Sequence, residues 1–263
     1  MQELTVESPA TSARDYTTGV EIVPRREFLR DWDYQPGQHL TMIGPTQRGK
    51  TTFGLQLLDR SISPDHRAIL LAGKPPHRDA VMNSAADKLN LRIVEDWPPY
   101  PSPRDHKRNG YVLRPIHTMK DPEADDENVG ENFKRAILDN YRSKKPVITF
   151  VDEAHHVHND LKLKKTIEAP LMRGAPHNGV WSLIQRGRYV SYQCYCAPEH
   201  LFLFYDPDID NQRRYSEIGG VDPNFLLRLS GTLKTYRTKN GQTISECIYI
   251  RRSGPYICVV DVT

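Results

Sequence analysis

The sequence predicts an α/β fold: a mostly parallel central sheet flanked by helices, with a C-terminal β-hairpin. Three observations carry that prediction. From His39 onward, short apolar runs recur at His39–Ile43, Ala68–Leu71, Arg92–Val94, Tyr111–Leu113, Val147–Val151, Val180–Ile184 and Leu201–Tyr205. Between them lie stretches with helical spacing, and strands that alternate with helices favour parallel pairing, because each crossover returns the chain to the same edge. Finally, Asn240-Gly241 separates the strand-like runs Leu233–Thr238 and Gln242–Ile250, and Asn-Gly readily adopts the positive φ angles of a tight hairpin turn.

Taken in order, residues 1–35 are polar, rich in Ser, Thr and Arg, and lack sustained periodicity. They are expected to form an N-terminal arm or a few edge elements, used at a subunit contact. Residues 36–263 form the main domain with its C-terminal hairpin, in keeping with roughly 150 residues per domain. Thr51–Leu58 sets Phe53, Leu55, Leu57 and Leu58 partly on one helical face. Asn132–Tyr141 repeats Phe133, Ala136, Ile137 and Tyr141 at the spacing of an amphipathic helix. The prolines of Trp97–Arg104 (WPPYPSPR) exclude helix and central strand, so a stiff loop is expected there. Asp121–Glu127 reads as a solvated acidic loop.

Lysine and arginine number 36 against 33 aspartates and glutamates, a net charge of +3. So mild an excess excludes a polybasic tail and permits a nucleic-acid binder whose charge is concentrated locally. With 38% apolar and 26% charged residues the chain has the composition of a soluble globular protein. No apolar run approaches the roughly 20 residues of a membrane span, so no membrane insertion is expected. Met1–Asp15 has no apolar segment of the kind a secretory signal needs. Cys194, Cys196, Cys247 and Cys258 are too few and too late to staple the fold, which points to reduced thiols in a cytoplasmic compartment.

Gly44-Pro45-Thr46-Gln47-Arg48-Gly49-Lys50-Thr51 matches G-x-x-x-x-G-K-[ST] in full, between an apolar strand and a helical pattern. The glycines let the backbone turn tightly and bring its N–H groups to phosphate oxygens. The following helix points its positive end at the same place, Lys50 reaches the β- and γ-phosphates, and the Thr51 hydroxyl is a ligand for Mg²⁺. This loop, with Thr52 after it, is the expected nucleotide-binding set, and ATP and Mg²⁺ are the expected cofactors. Val147–Val151 then ends in Asp152-Glu153. Asp152 at the strand end would hold Mg²⁺ as a Walker-B aspartate does, and Glu153 is placed to polarise the water that attacks the γ-phosphate. That second carboxylate favours hydrolysis over transfer to a small acceptor.

With these motifs the chain resembles the FtsK/HerA superfamily of DNA-pumping ATPases, within the additional-strand group of P-loop NTPases. The resemblance runs from about His39 to Leu233. It includes the phosphate loop, Gly73-Lys74-Pro75-Pro76-His77-Arg78-Asp79, Asp96-Trp97-Pro98-Pro99, Asp152-Glu153 and Leu183-Ile184-Gln185-Arg186. Glu199-His200-Leu201-Phe202-Leu203-Phe204-Tyr205-Asp206 follows, with Arg213-Arg214 and Ile218-Gly219-Gly220 after it. The resemblance implies a RecA-like domain that assembles into a homo-oligomeric ring, pentamer or hexamer, and couples ATP hydrolysis to movement of double-stranded DNA. Gln185 would sense the γ-phosphate. An arginine finger would serve the neighbouring subunit, with Arg173 favoured over Arg186 and Arg188. Relatives often carry proline after Gln-Arg where this chain has Gly187, so the finger is left open. A stand-alone motor resembles viral genome-packaging ATPases, which implies a phage or mobile-element protein of the host cytoplasm, associated with the virion, and a portal or capsid-vertex partner. The rival readings are a soluble plasmid or mobile-element DNA-transfer ATPase and a nucleotide-dependent switch that moves no DNA.

Other features carry less. His155, His156 and His158 read as ordinary polar residues near the nucleotide rather than a metal site. Cys194 and Cys196 read as semi-buried thiols on one face of a strand. The basic clusters at Lys162, Lys164 and Lys165, at Arg186 and Arg188, at Lys234, Arg237 and Lys239, and at Arg251 and Arg252 are candidates for phosphate contact.

Overall fold

Each apolar run from His39 to Tyr205 forms a strand in the computed structural model of the chain, which describes residues 5–6, 19–174, 176–238, 241 and 243–262. In order, the elements are β1 (Thr5–Val6), β2 (Glu21–Pro24), α1 (Arg25–Arg30), β3 (Leu40–Ile43), α2 (Lys50–Asp59), β4 (Arg67–Leu71), α3 (Ala80–Lys88), β5 (Leu91–Val94), β6 (Gly110–Leu113) and α4 (Pro122–Arg142). There follow β7 (Val147–Val151), α5 (Ala154–Asn159), α6 (Lys164–Arg173), β8 (Asn178–Ile184), α7 (Gln193–Cys196), β9 (His200–Phe204), α8 (Ile209–Gln212) and α9 (Pro223–Ser230). The chain closes with β10 (Thr235–Arg237), β11 (Thr243–Ser245), β12 (Cys247–Arg251) and β13 (Tyr256–Asp261).

A ten-stranded sheet has the order β2-β13-β12-β9-β3-β8-β7-β4-β6-β5. Every neighbouring pair from β9 to β5 is parallel. β12 runs antiparallel to both β9 and β13, and β2 pairs parallel with β13. β8 lies between β3 and β7, which is the inserted strand that the resemblance implies.

Alternate residues of the central strands build two separate cores, one on each face of the sheet. Met42, Leu70, Phe150, Leu183 and Phe202 pack with Phe53 and Leu57 of α2 and Met82 of α3. Ile43, Leu71, Val151, Ile184 and Leu203 pack with Phe133 and Ile137 of α4 and Ile167 of α6. Strands buried on both faces explain why these runs are continuously apolar instead of alternating.

Three expectations are corrected. Asp121–Glu127 is not a free loop: Asp121 caps α4, accepting from the Glu123 and Ala124 amides, and Pro122 opens the helix. Proline is tolerated at a first helical position, and the acidic residues suit the positive end of the helix. Cys194 and Cys196 lie on the short helix α7 rather than a strand, and both are free thiols. The run Gln242–Ile250 is not one strand. Its described part breaks at Glu246, so that β11 pairs with β10 in a small sheet ordered β1-β10-β11 while β12 joins the large sheet. Glu246 is fully buried there and accepts from the Lys234 amide and the Tyr236 hydroxyl. The turn residue Asn240 lies outside the described residues.

Within residues 1–35, the described part adds an edge strand and an aromatic anchor. β2 extends the sheet beyond β13, and Phe28 packs against Trp32, Phe53, Phe202 and Tyr249. Phe28→Ala should therefore lower the unfolding free energy by about 3–5 kcal/mol, read from urea denaturation. An unchanged midpoint would show that this segment adds nothing to the core.

Candidate functional site

In a run of parallel strands all the carboxyl ends meet one edge, and the segments just beyond them converge. Here residues 44–51 follow β3, Lys74 follows β4, Arg114 ends β6, Asp152 and Glu153 follow β7, Gln185 follows β8, and Asp206 lies just past β9.

The phosphate loop is seated by close backbone approach. Gly44 (φ 156°) donates its N–H to the Ile184 carbonyl, and a Cβ there would fall 2.6 Å from Phe204 Cβ. Gly49 (φ 81°) turns the chain into α2 in a left-handed conformation that a side chain would strain. The first N–H groups of α2 have no carbonyl four residues behind them, which together with the helix dipole makes a seat for an anion. Lys50 is 6% exposed, and its Nζ donates to the carbonyls of Gly44 (2.6 Å) and Pro45 (2.5 Å). Burial pushes its ammonium down to about 8, against the pull of Asp152 and Asp206. Thr46, Gln47 and Thr52 are exposed along the loop. Arg48 is turned aside, its Nη1 donating to Thr235 Oγ1 of β10 (2.7 Å), and Gly49 lies close to the Thr243 carbonyl. The small sheet thus rests on the loop.

Thr51 Oγ1 donates to Asp152 Oδ1 (3.0 Å), although the two are 101 residues apart. A hydroxyl beside a carboxylate is the hard-oxygen donor set that suits Mg²⁺. Burial pushes the Asp152 carboxyl up to about 6, with the neighbouring Lys74 ammonium opposing the rise. Glu153 opens α5 in a left-handed conformation (φ 59°, ψ 54°), which turns its side chain away from the regular helical course. Its Oε1 accepts from Gln185 Nε2 (2.9 Å) and pairs with Lys74 Nζ (2.6 Å). Sheet order explains the arrangement, because β8 and β4 are the two neighbours of β7. The structure therefore brings together Lys50, Thr51, Asp152, Glu153 and Gln185.

Arg173 is placed differently. It ends α6 just before Gly174, where a Cβ would lie 3.6 Å from His39 Nε2, at the opposite end of β3 from the phosphate loop. Arg186 is exposed beyond β8, and Arg188 pairs with Asp210 (2.8 Å) while covering the Tyr189 ring. The histidines of α5 diverge: His156 meets Asp160 (2.8 Å), His155 meets the edge of Tyr189, and His158 is buried.

Two supports went unread in the sequence. Arg114 and Asp79 form an ion pair (3.2 Å) with side chains only 3% and 8% exposed, and Arg114 also donates to Asn83. Asp206 is buried and accepts from the Asp208 amide and Asn211 Nδ2, near Lys50. The signal that could have found them is a charged residue at or just past the end of a parallel strand, which Arg114 and Asp206 share with Lys74.

Cradle, helix terminus, lysine and carboxylate pair together define a P-loop NTPase fold, and comparisons with known proteins agree. The genome packaging NTPase B204 from Sulfolobus turreted icosahedral virus 2, in its AMP complex, superposes with a TM-score of 0.52 at 13% identity, covering 87% of this chain and 98% of that one. Its AMPPCP complex gives 0.50 at 15% identity, covering 86% and 98%. B204, the DNA-packaging ATPase from Sulfolobus turreted icosahedral virus, also gives 0.50 at 15% identity, covering 81% and 98%. No protein-family model and no curated protein matches the chain. Among the described residues no helix is long and apolar enough to cross a membrane.

Removing one partner of a buried ion pair leaves an uncompensated charge. Arg114→Met is expected to cost about 3–5 kcal/mol of unfolding free energy, measured by urea denaturation. A cost near zero would mean that Asp79 finds water in its place.

Proposed function

We propose that the chain is a Mg²⁺-dependent ATPase that translocates double-stranded DNA, acting in a homo-oligomeric ring in genome packaging. The observation that carries this reading is the hydrogen bond between Gln185 and Glu153, across the tips of β8 and β7 and beside the Thr51–Asp152 pair. It sets a candidate base and a candidate γ-phosphate sensor in contact, on the edge where the phosphate loop ends. A slow switch would need no such coupling. The packaging role is supported by the likeness to B204, of which this chain covers nearly the whole length.

In this reading the loop amides and Lys50 bind the phosphates, and Thr51 and Asp152 hold Mg²⁺. When bound, the ion neutralises charge on the β- and γ-phosphate oxygens. Glu153 takes a proton from the attacking water, and Gln185 reports whether a γ-phosphate is there. Arg173 lies at the end of the sheet away from its own phosphate loop and is offered as the finger that reaches a neighbour's nucleotide. Host cytoplasm is the proposed setting, with a portal or capsid vertex as the docking partner.

The decisive measurement is the steady-state ATPase rate with and without linear double-stranded DNA at two salt concentrations. Stimulation that weakens with salt is expected, because phosphate contacts release counterions. A rate indifferent to DNA would remove the motor reading. Glu153→Gln should lower kcat by about 10²–10⁴-fold while ATP still binds. Normal turnover in that variant would overturn the assignment of the base.

A further inference from the structure

Lys74 belongs neither to the phosphate loop nor to the carboxylate pair, yet it engages Glu153 directly. Its Nζ stands 2.6 Å from Glu153 Oε1, with the lysine side chain 41% exposed. The same oxygen accepts from Gln185. Lys74 also feels Asp152 and Asp79, so its ammonium stands among three carboxylates. The other lysine of the site contrasts with it: Lys50 is buried and tied to two carbonyls. Lys74 is the cation with room to move.

A carboxylate oxygen that already holds an ammonium and an amide is poorly placed to engage a water as well. A γ-phosphate arriving on this edge carries more charge than Glu153 and more acceptor oxygens, and it competes for the same ammonium. We propose that Lys74 is a nucleotide-sensing positioning residue. Without a nucleoside triphosphate it holds Glu153 through Oε1; with one bound it moves to the γ-phosphate and releases Glu153 toward water. The proposal rests on the nucleotide-binding reading above and adds a device that couples occupancy of the site to availability of the glutamate.

The test is a double-mutant cycle on binding rather than turnover. Affinities for Mg²⁺·ADP and for Mg²⁺ with β,γ-methylene-ATP, which is not hydrolysed, are measured by calorimetry for the wild type, Lys74→Met, Glu153→Gln, the double variant and Lys74→Arg. Lys74→Met should weaken the triphosphate analogue about tenfold and leave ADP unchanged. Glu153→Gln should tighten the analogue alone, by freeing the ammonium, and that gain should vanish in the Lys74→Met background. Lys74→Arg should keep the contrast between the two nucleotides. If Lys74→Met changes both affinities equally, or neither, the proposal is wrong. If the Glu153→Gln gain persists undiminished without Lys74, simple relief of charge repulsion explains it and the proposal is again wrong. Failure of the wild type to bind either nucleotide would instead bring down the nucleotide-binding reading, and this device with it. Unaltered ADP affinity in every variant serves as the check that the site remains folded.

Discussion

Everything at the site depends on the unbroken run of parallel pairing from β9 to β5. Parallel strands deliver their ends to one edge, so residues far apart in sequence meet there without any long loop. The position of β8 sets the spacing. Neighbouring strands lie about 4.8 Å apart, so β3 and β7 with β8 between them stand about 10 Å apart. That gap leaves room for a phosphate group between the loop and the carboxylates, while Gln185 at the tip of β8 faces into it. Had β3 and β7 been direct neighbours, Gln185 could not touch Glu153 from between them.

An edge so rich in charge is costly unless each group finds a partner, because burying an unpaired ion is among the most expensive things a fold can do. The pairings observed meet that demand from different elements: Arg114 with Asp79, Lys74 with Glu153, Thr51 with Asp152, and Asn211 with Asp206. They also differ in how far they are committed. Arg114–Asp79 is sealed between α3 and β6 and fixes geometry. Lys74–Glu153 is half open to solvent and can be exchanged. Rigid pairs around one labile pair give the site a moving part without loosening its frame.

Much of this was legible in the sequence because its signals were local. The phosphate loop is a contiguous motif, and strands buried on both faces betray themselves as apolar runs. The acidic segment before α4 was misread because charge outweighed the Asp-Pro start signal that Asp121 and Pro122 provide. The break at Glu246 was invisible because two short strands on either side of one polar residue look like a single run. Lys74 stood in plain view after β4, but nothing in its neighbourhood names Glu153 as its partner, since that contact exists only through the order of strands in the sheet. Pairing across the sheet is a property of topology, and one sequence carries little trace of it.

The parallel pairing of β2 with β13 has a consequence for how the chain matures. β2 lies near the start of the described chain and β13 near its end, so β2 has no partner until residues 256–261 have been made. The strands that carry the phosphate loop, the carboxylates and Gln185 are complete by then and can already lie side by side. During synthesis from the N-terminus the chemical edge is therefore drawn before the outline is closed. Its flank, which includes the aromatic anchor around Phe28, is sealed last.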